Sequence, residues 1–221
     1  MELYELFSEC LSADYLHSNG SADYAVRRDG DTLYIFFEDS SGSTDWKSNL
    51  NFPARAYKRM KKTVWYAHRG FLRVWKQTEP LISDAVMDST VKKIVTVGYS
   101  HGAAIAVLCH EYAWYHRADI RRSVYGYGFG CPRVFYGKKT PSLMRRWENF
   151  LVIRNIDDIV THLPPRFLGF HHVGKMLHIG KAGKYSSVTA HFPRNILKEL
   201  KIYSRKKKNA ESNQGVNQST V

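Results

Sequence analysis

A chain of 221 residues with 43% hydrophobic and 14% aromatic residues is long enough for one domain with a sizeable core, and too apolar to be disordered. Its 33 lysines and arginines against 20 acids give a net charge of +13. The longest apolar run, 103–109, is far shorter than the roughly 20 residues of a membrane-spanning helix, which argues against a transmembrane segment.

The first quarter of the chain predicts a helix followed by a hairpin. Apolar residues at helical spacing predict an amphipathic helix over 3–16. Two short predicted strands, 24–28 and 32–37, flank an Asp-Gly pair that is typical of a hairpin turn. After a polar loop and a basic stretch, a short strand is predicted over 64–67.

From residue 71 onward, predicted helices and strands alternate. The helices cover 71–87, 101–116 and 193–203, and the strands cover 91–97, 123–129, 150–154 and 176–179. Such alternation is typical of the α/β class, with a mainly parallel sheet and helices on both faces. The Lys-, Asn-, Gln- and Ser-rich residues 204–221 predict a disordered tail after a single domain over 1–203.

The cysteines and the N-terminus predict a cytoplasmic location. Cys10, Cys109 and Cys131 are odd in number and scattered, which predicts no disulfide framework. We expect Cys109 to be a buried helix residue and Cys131 to be structural. Glu2 and Glu5 among the first apolar residues are unlike the basic start of a secretory signal peptide. Secretion without a cleaved signal stays open as an alternative.

Part of the positive charge lies in two basic segments, 55–62 (RAYKRMKK) and 198–208 (KELKIYSRKKK). Such segments attract nucleic acid, anionic lipid headgroups or acidic substrates in some proteins, and are solvated surface in most. No zinc-ligand spacing, RNA-binding signature or helix-turn-helix pattern accompanies them, which argues against nucleic acid. An anionic membrane surface stays open as a partner, and the sequence predicts no oligomeric state.

Ser100 is the candidate nucleophile because it lies in Gly98-Tyr99-Ser100-His101-Gly102, between a predicted strand and a predicted helix. A serine hydroxyl is a weak nucleophile unless it is exposed, rigidly held and given a base. A sharp strand-to-helix turn does the first two, and its crowded backbone needs a glycine on each side. The backbone N–H of His101 is then the expected oxyanion donor. The alternative is a glycine-rich turn with a structural serine.

An acid and then a histidine are expected to follow such a serine in chain order. Asp157 and Asp158 follow the strand 150–154 after two residues, and an acid beyond the carboxyl end of a parallel strand is well placed to meet the serine. The alternative for this pair is a turn or a helix cap. Five histidines follow the acid pair in the sequence: His162, His171, His172, His178 and His191.

Five segments of the chain resemble the class 3 (fungal-type) lipase family of α/β-hydrolases. They are YIFFEDSSGSTDWKSNL (34–50), AHRGF (67–71), VTVGYSHGAAIA (95–106), YGFGCPRVF (127–135) and NIDDIVTHLPP (155–165). The resemblance implies an α/β-hydrolase fold and hydrolysis of carboxylic esters through an acyl-enzyme, with no metal and no cofactor.

The resemblance also implies which residues complete the site. The family's pattern of an Asn, an Asp followed by Ile/Val-Val, and then Leu-Pro-Pro selects Asp158 as the catalytic acid rather than Asp157. The family's base lies in a loop just before the final helix, which selects His191. Ala190 precedes it here, where the family has an aspartate.

The second oxyanion donor implied by the resemblance is Ser40, where the family writes Phe-Arg-Gly-Thr/Ser. Glu38-Asp39 replaces Arg-Gly here, and two carboxylates disfavour an oxyanion. The segment 41–50 corresponds to the family's lid and is mostly polar, which favours soluble esters, whereas the basic segment 55–62 favours lipid at an anionic surface. The predicted substrates are lipid esters, acylglycerol or phospholipid. The alternatives are small soluble esters, or a catalytically silent hydrolase-fold protein that binds anionic surfaces.

Overall fold

The computed structural model describes residues 1–17, 22–38, 53–59, 62–183 and 186–218. Its strands are β1 (Tyr24–Asp29), β2 (Thr32–Phe37), β3 (Ala54–Arg59), β4 (Lys62–His68), β5 (Lys93–Tyr99), β6 (Val124–Phe129), β7 (Phe135–Tyr136), β8 (Phe150–Asn155), β9 (Phe170–His171) and β10 (Lys175–Ile179). Its α-helices are α1 (Leu3–Ser12), α2 (Arg69–Met87), α3 (His101–His116), α4 (Pro141–Met144) and α5 (Pro193–Gln218).

The central sheet has six strands in the order β1-β2-β5-β6-β8-β10. β1 and β2 form the predicted antiparallel hairpin, and all the other neighbours in this sheet are parallel. A smaller antiparallel sheet, β3-β4-β7-β9, lies beside it. The α/β-hydrolase fold with a mainly parallel central sheet is therefore confirmed, while the smaller sheet was not predicted.

Helices cover both faces of the central sheet because neighbouring residues of a strand face opposite sides. Ile35 of β2 packs in one core with α2 and α3, and Phe36 packs in the other core with α1 and α5. Trp75 of α2 and Phe7 of α1 are fully buried in these two cores. α3 carries buried residues without interruption over 102–113, so it lies at the centre of its layer.

Two elements near the N-terminus differ from the prediction because of contacts outside the local sequence. α1 ends at Ser12 and not at residue 16, since the backbone of Leu16 pairs with that of Tyr24 beside β1. Residues 55–59 of the basic segment lie in β3, which pairs antiparallel with β4. Tyr57 in β3 is buried and packs on Trp65 of β4, with the ring centroids 5.0 Å apart.

The prediction of a disordered tail from residue 204 differs from the structure, in which α5 continues to Gln218. Ser204 is buried and donates a hydrogen bond to Glu2 over 2.9 Å, and Lys208 forms an ion pair with Glu2 at 3.4 Å. Contacts with α1 therefore support the helix beyond its apolar part. Neither α5 nor any other helix in the described ranges is long and apolar enough to cross a membrane.

Four histidines whose side chains are buried or partly buried make the stability of the fold dependent on pH. Burial lowers the pKa of His68, His101 and His110 to about 4, and that of His172 to about 3. A histidine of the unfolded chain has a pKa of about 6.5, so the unfolded state binds more protons below that pH. We expect the free energy of unfolding to fall as the pH drops from 6.5 to 4, by up to about 1.4 kcal/mol per pH unit for each histidine.

His110→Gln tests this pH dependence, because His110 is 1% exposed and packs against the ring of Phe150 in the core. Urea unfolding between pH 4 and 7 should show a shallower slope for this variant than for the wild type. The exposed His178 gives a matched control, and His178→Gln should keep the wild-type slope. Equal slopes for all three proteins would show that His110 does not contribute.

Candidate active site

Ser100 lies in a strained turn between β5 and α3, with φ +54° and ψ −119°. A residue with a side chain in this region costs about 1–3 kcal/mol, which the surrounding packing must offset. A Cβ on Gly98 would lie 2.3 Å from the carbonyl oxygen of Gly102, and one on Gly102 would lie 2.2 Å from that of Phe37. The two glycines thus allow the backbone to approach closely on both sides of the serine, as the sequence predicts.

The structure brings Ser100, His191 and Asp158 into one hydrogen-bonded chain. His191 Nε2 lies 2.7 Å from Ser100 Oγ, and His191 Nδ1 lies 2.8 Å from Asp158 Oδ2. Asp158 is fully buried, whereas Ser100 and His191 keep 8% and 7% of their surface exposed. With the Nδ1 proton donated to Asp158, Nε2 is free to accept the serine proton.

Asp158 is held by its own loop after β8. Its Oδ1 accepts a hydrogen bond from the backbone N–H of Val160 over 2.9 Å, and Thr161 Oγ1 donates to its backbone carbonyl over 2.8 Å. The neighbouring Asp157 is engaged elsewhere, because its Oδ2 accepts from the backbone N–H of Gly183 over 2.7 Å. The loop therefore presents Asp158, and not Asp157, to the histidine.

His191 is held by two residues that the sequence analysis did not identify. Tyr99 donates its hydroxyl proton to the backbone carbonyl of His191 over 2.8 Å and stacks on its ring, with the centroids 5.1 Å apart. Asn155 Nδ2 donates to the carbonyl of Ala190 over 2.9 Å. Both residues lie in segments that resemble the family, 95–106 and 155–165, and this resemblance could have identified them from the sequence.

Gly130 is a third residue that the sequence analysis did not single out. It follows β6 with φ +58°, and a Cβ there would lie 2.7 Å from Cε1 of His191 and 3.1 Å from Oδ2 of Asp158. Any side chain at this position would press on the hydrogen bond between base and acid. Gly130 therefore leaves the space that His191 occupies.

The other four histidines that follow the acid pair serve elsewhere in the structure. Arg154 donates a hydrogen bond to the ring of His162, and His172 Nε2 donates to a backbone carbonyl of the acid loop over 2.8 Å. His171 lies in β9 and His178 lies in β10. His191 is the one among the five that contacts both Ser100 and Asp158.

The first predicted oxyanion donor lies at the N-terminus of α3. Backbone N–H groups at this end of a helix carry partial positive charge and favour an anion. The imidazole of His101 is partly buried, with its ring centroid 5.4 Å from that of Phe71, and desolvation lowers its pKa to about 4. The ring is therefore neutral near pH 7, and the contribution of His101 to an oxyanion site comes from its backbone.

Ser40 and the segment 41–50 lie outside the described residues. Glu38, which precedes them, has a carboxylate oxygen within 4.8 Å of side-chain ligand atoms of His17 and Asp23. Within the described residues, these three form the one group whose side chains are close enough to hold a metal ion. None of the three is buried, and none contacts Ser100 or His191 through a hydrogen bond of the described structure.

The chain is similar to known proteins both in sequence and in structure. The family model "Lipase (class 3)" matches residues 34–168. A lipase from Rhizomucor miehei is 29% identical over 149 residues, which are 65% of this chain and 40% of that protein. A solved structure of the triacylglyceride lipase of the same organism has a TM-score of 0.62 at 24% identity, over 76% of this chain and 66% of that one.

A second solved structure is that of a triacylglycerol lipase whose catalytic centre is described as a serine protease triad. It has a TM-score of 0.65 at 23% identity, over 80% of this chain and 77% of that one. The present chain spans less than half the length of the curated Rhizomucor miehei lipase that it matches. The family match nevertheless covers more than half of the chain and includes both Ser100 and Asp158. The chain belongs to the class 3 lipase family.

Proposed function

We propose that this protein is a carboxylic ester hydrolase in which Ser100 is the nucleophile, His191 the general base and acid, and Asp158 the residue that orients the base. The observation that carries the proposal is the unbroken chain of hydrogen bonds, 2.7 Å and 2.8 Å long, on a serine held at φ +54°. A structural serine requires neither this strained backbone nor a histidine backed by a buried carboxylate.

The reaction proceeds through an acyl-enzyme in two steps. His191 Nε2 takes the proton of Ser100 as Oγ attacks the ester carbonyl, and the resulting imidazolium is stabilised by Asp158. The tetrahedral intermediate collapses when His191 returns that proton to the leaving alcohol. Water then attacks the acyl-serine with the same base, and the carboxylic acid leaves.

The oxyanion of the intermediate is stabilised by two backbone donors in this proposal. The N–H of His101, at the N-terminus of α3, is the first. Ser40 is the second, by its resemblance to the family pattern. The end of β2 supports this assignment because it lies very close to Gly102. A Cβ added at Gly102 would lie 2.2 Å from the carbonyl oxygen of Phe37 and 2.5 Å from that of Glu38. Glu38, the last described residue before Ser40, therefore lies beside α3, the helix that follows the nucleophile.

The proposed substrates are lipid esters, acylglycerol or phospholipid. Membership of a lipase family supports this choice, as do the names of the two solved structures, a triacylglyceride and a triacylglycerol lipase. The exposed cations Arg55 and Lys58 of β3, and Arg205 and Lys206 of α5, support binding to an anionic lipid surface. Small soluble esters are the second candidate, favoured by the polar composition of 41–50.

Hydrolysis of short and long acyl esters tests the substrate class. Rates on p-nitrophenyl butyrate and p-nitrophenyl palmitate should be compared with and without vesicles of phosphatidylcholine and phosphatidylserine. A lipid hydrolase should prefer the long chain and gain activity with the anionic vesicles. A preference for butyrate that vesicles leave unchanged would contradict the lipid proposal and leave the esterase proposal standing.

We also propose that the protein acts in a reducing compartment, at the cytoplasmic side of a membrane surface. Cys10, Cys109 and Cys131 are all buried and unpaired. Burial raises the pKa of the Cys10 thiol to about 12, so this thiol stays protonated and unreactive. Localisation of the tagged protein by microscopy tests this, and recovery of the protein in the culture medium would contradict it.

A further inference from the structure

A cavity of about 480 Å³ is lined by residues of β8, β9 and β10 and of the segments around them. Five cationic side chains line it: Arg133, Lys138, Lys139, Arg154 and Arg166. His171 and His172 complete its polar wall, and no carboxylate is among the described residues that line it. It shares no residue with the chain from Ser100 through His191 to Asp158.

Desolvation and mutual repulsion both act on cations in this cavity. Desolvation and the charge of Arg166 lower the pKa of Lys139, and desolvation together with Arg154 and Arg166 lowers that of Arg133. Within the described ranges, none of the ion pairs includes a side chain that lines the cavity. The pKa of Arg154 is lowered by desolvation, and the carboxylates of Asp158 and Asp157 oppose this shift. The cavity therefore carries an excess of positive charge that an anion would relieve.

Backbone contacts hold two of the guanidinium groups in place. Arg133 donates to the carbonyls of His162 and Pro164, and Arg154 donates to the carbonyl of Ile156 over 3.2 Å. Because these contacts already fix the side chains, a ligand need not order them. A planar guanidinium donates two parallel hydrogen bonds to a phosphate, which a lysine cannot do.

The geometry points to a binding site for a phosphate group in this cavity, separate from the proposed ester hydrolysis. The guanidinium groups of Arg133 and Arg154 would bind the phosphate oxygens. The exposed Lys138, Lys139 and Arg166 would contact the phosphate from the solvent side. Both arginines also contact residues 156–164, the loop that carries Asp158. A bound phosphate is thus expected to stabilise this loop.

Exposed apolar residues next to the phosphate-binding cations suggest that the bound phosphate belongs to a lipid headgroup. Phe167 is 87% exposed and Leu168 is 44% exposed, directly after Arg166. An apolar tip next to a cationic site suits the interface of a membrane, where acyl chains and phosphates lie side by side. A free phosphate compound would use the same cations without the tip, and the experiment separates these two sources.

The test is titration calorimetry of the full chain with inorganic phosphate and with tripolyphosphate, in a chloride buffer. Lys139→Gln/Arg166→Gln should weaken tripolyphosphate binding about tenfold or more, because two charged donors are lost. The matched control, Arg73→Gln/Lys76→Gln on α2, removes the same charge from two exposed residues outside the cavity and should bind as the wild type does. Equal weakening by both double variants, or no binding of either probe by the wild type, would overturn the proposal.

Co-sedimentation identifies the source of the phosphate. Vesicles of phosphatidylcholine with phosphatidic acid are compared with vesicles of phosphatidylcholine alone. If Phe167→Ser loses binding to the anionic vesicles but keeps tripolyphosphate, the site takes a lipid phosphate. If it keeps both, the site takes a free phosphate. None of these variants alters Ser100, His191 or Asp158. A failure of the phosphate-site proposal is therefore distinguishable from a failure of the proposed ester hydrolysis.

Discussion

Ser100→Ala is expected to abolish labelling by a fluorophosphonate probe and to lower kcat for ester hydrolysis by up to about 10⁶-fold. The probe reacts with a serine whose proton is taken by a base, so it reports the contact between His191 Nε2 and Ser100 Oγ at 2.7 Å without any assumption about substrate. The residual rate would come from the oxyanion donors and from substrate binding. Mass spectrometry of the labelled protein and initial ester rates are the two measurements.

The fold should survive this substitution, because alanine and serine both carry a Cβ and meet the same strain at φ +54°. Ser83→Ala is a matched control, since Ser83 lies on α2 and shares a hydrogen bond of 2.8 Å with Tyr112. It should keep both labelling and activity. Labelling of folded Ser100→Ala would show that another serine is the nucleophile, and an unlabelled folded wild type would favour the silent, surface-binding alternative.

Asp158→Asn is expected to lower kcat by about 10⁴-fold while the fold is kept. Oδ1 of Asp158 accepts from the N–H of Val160 and Oδ2 accepts from Nδ1 of His191, so both oxygens receive protons. An asparagine can accept at only one of these positions. With its NH₂ toward His191, the proton of the imidazole moves to Nε2, which then cannot accept from Ser100.

Asp157→Asn is the matched control for this variant, because Asp157 is the adjacent residue and has the same charge. Its Oδ2 accepts from the N–H of Gly183, so the change should affect activity by less than about tenfold. Rates on one ester, with thermal unfolding of each variant, complete the comparison. A larger loss from Asp157→Asn than from Asp158→Asn would assign the acid to the other aspartate.

Features that depend on neighbouring residues could be predicted from the amino-acid sequence. β2 and α3 have the predicted bounds, 32–37 and 101–116, because hydrophobic periodicity and the glycines of the turn before α3 are local signals. The close packing at Gly98 and Gly102 is a consequence of the same local turn. The family pattern also distinguished Asp158 from Asp157, and the structure turns these two side chains to different partners.

The helix over 204–218 and the pairing of β3 with β4 could not be predicted, because both depend on contacts with other parts of the chain. Residues 204–218 have a polar composition that is also typical of disorder, and Glu2, about 200 residues away in sequence, contacts Ser204 and Lys208. Tyr57 in the basic segment becomes a core residue only through Trp65 and the sheet around it. The composition of these two segments does not identify Glu2 or Trp65 as their partners.

The assembly of the candidate site depends on contacts between residues that are far apart in the sequence. Five histidines satisfy the chain order, and the resemblance rather than any local signal favoured His191. The parallel strands β5, β6 and β8 end at one edge of the sheet, which brings Tyr99, Gly130 and Asn155 against the segment of His191. These contacts join residues far apart in sequence, because strand packing places them together and local propensity does not specify that packing.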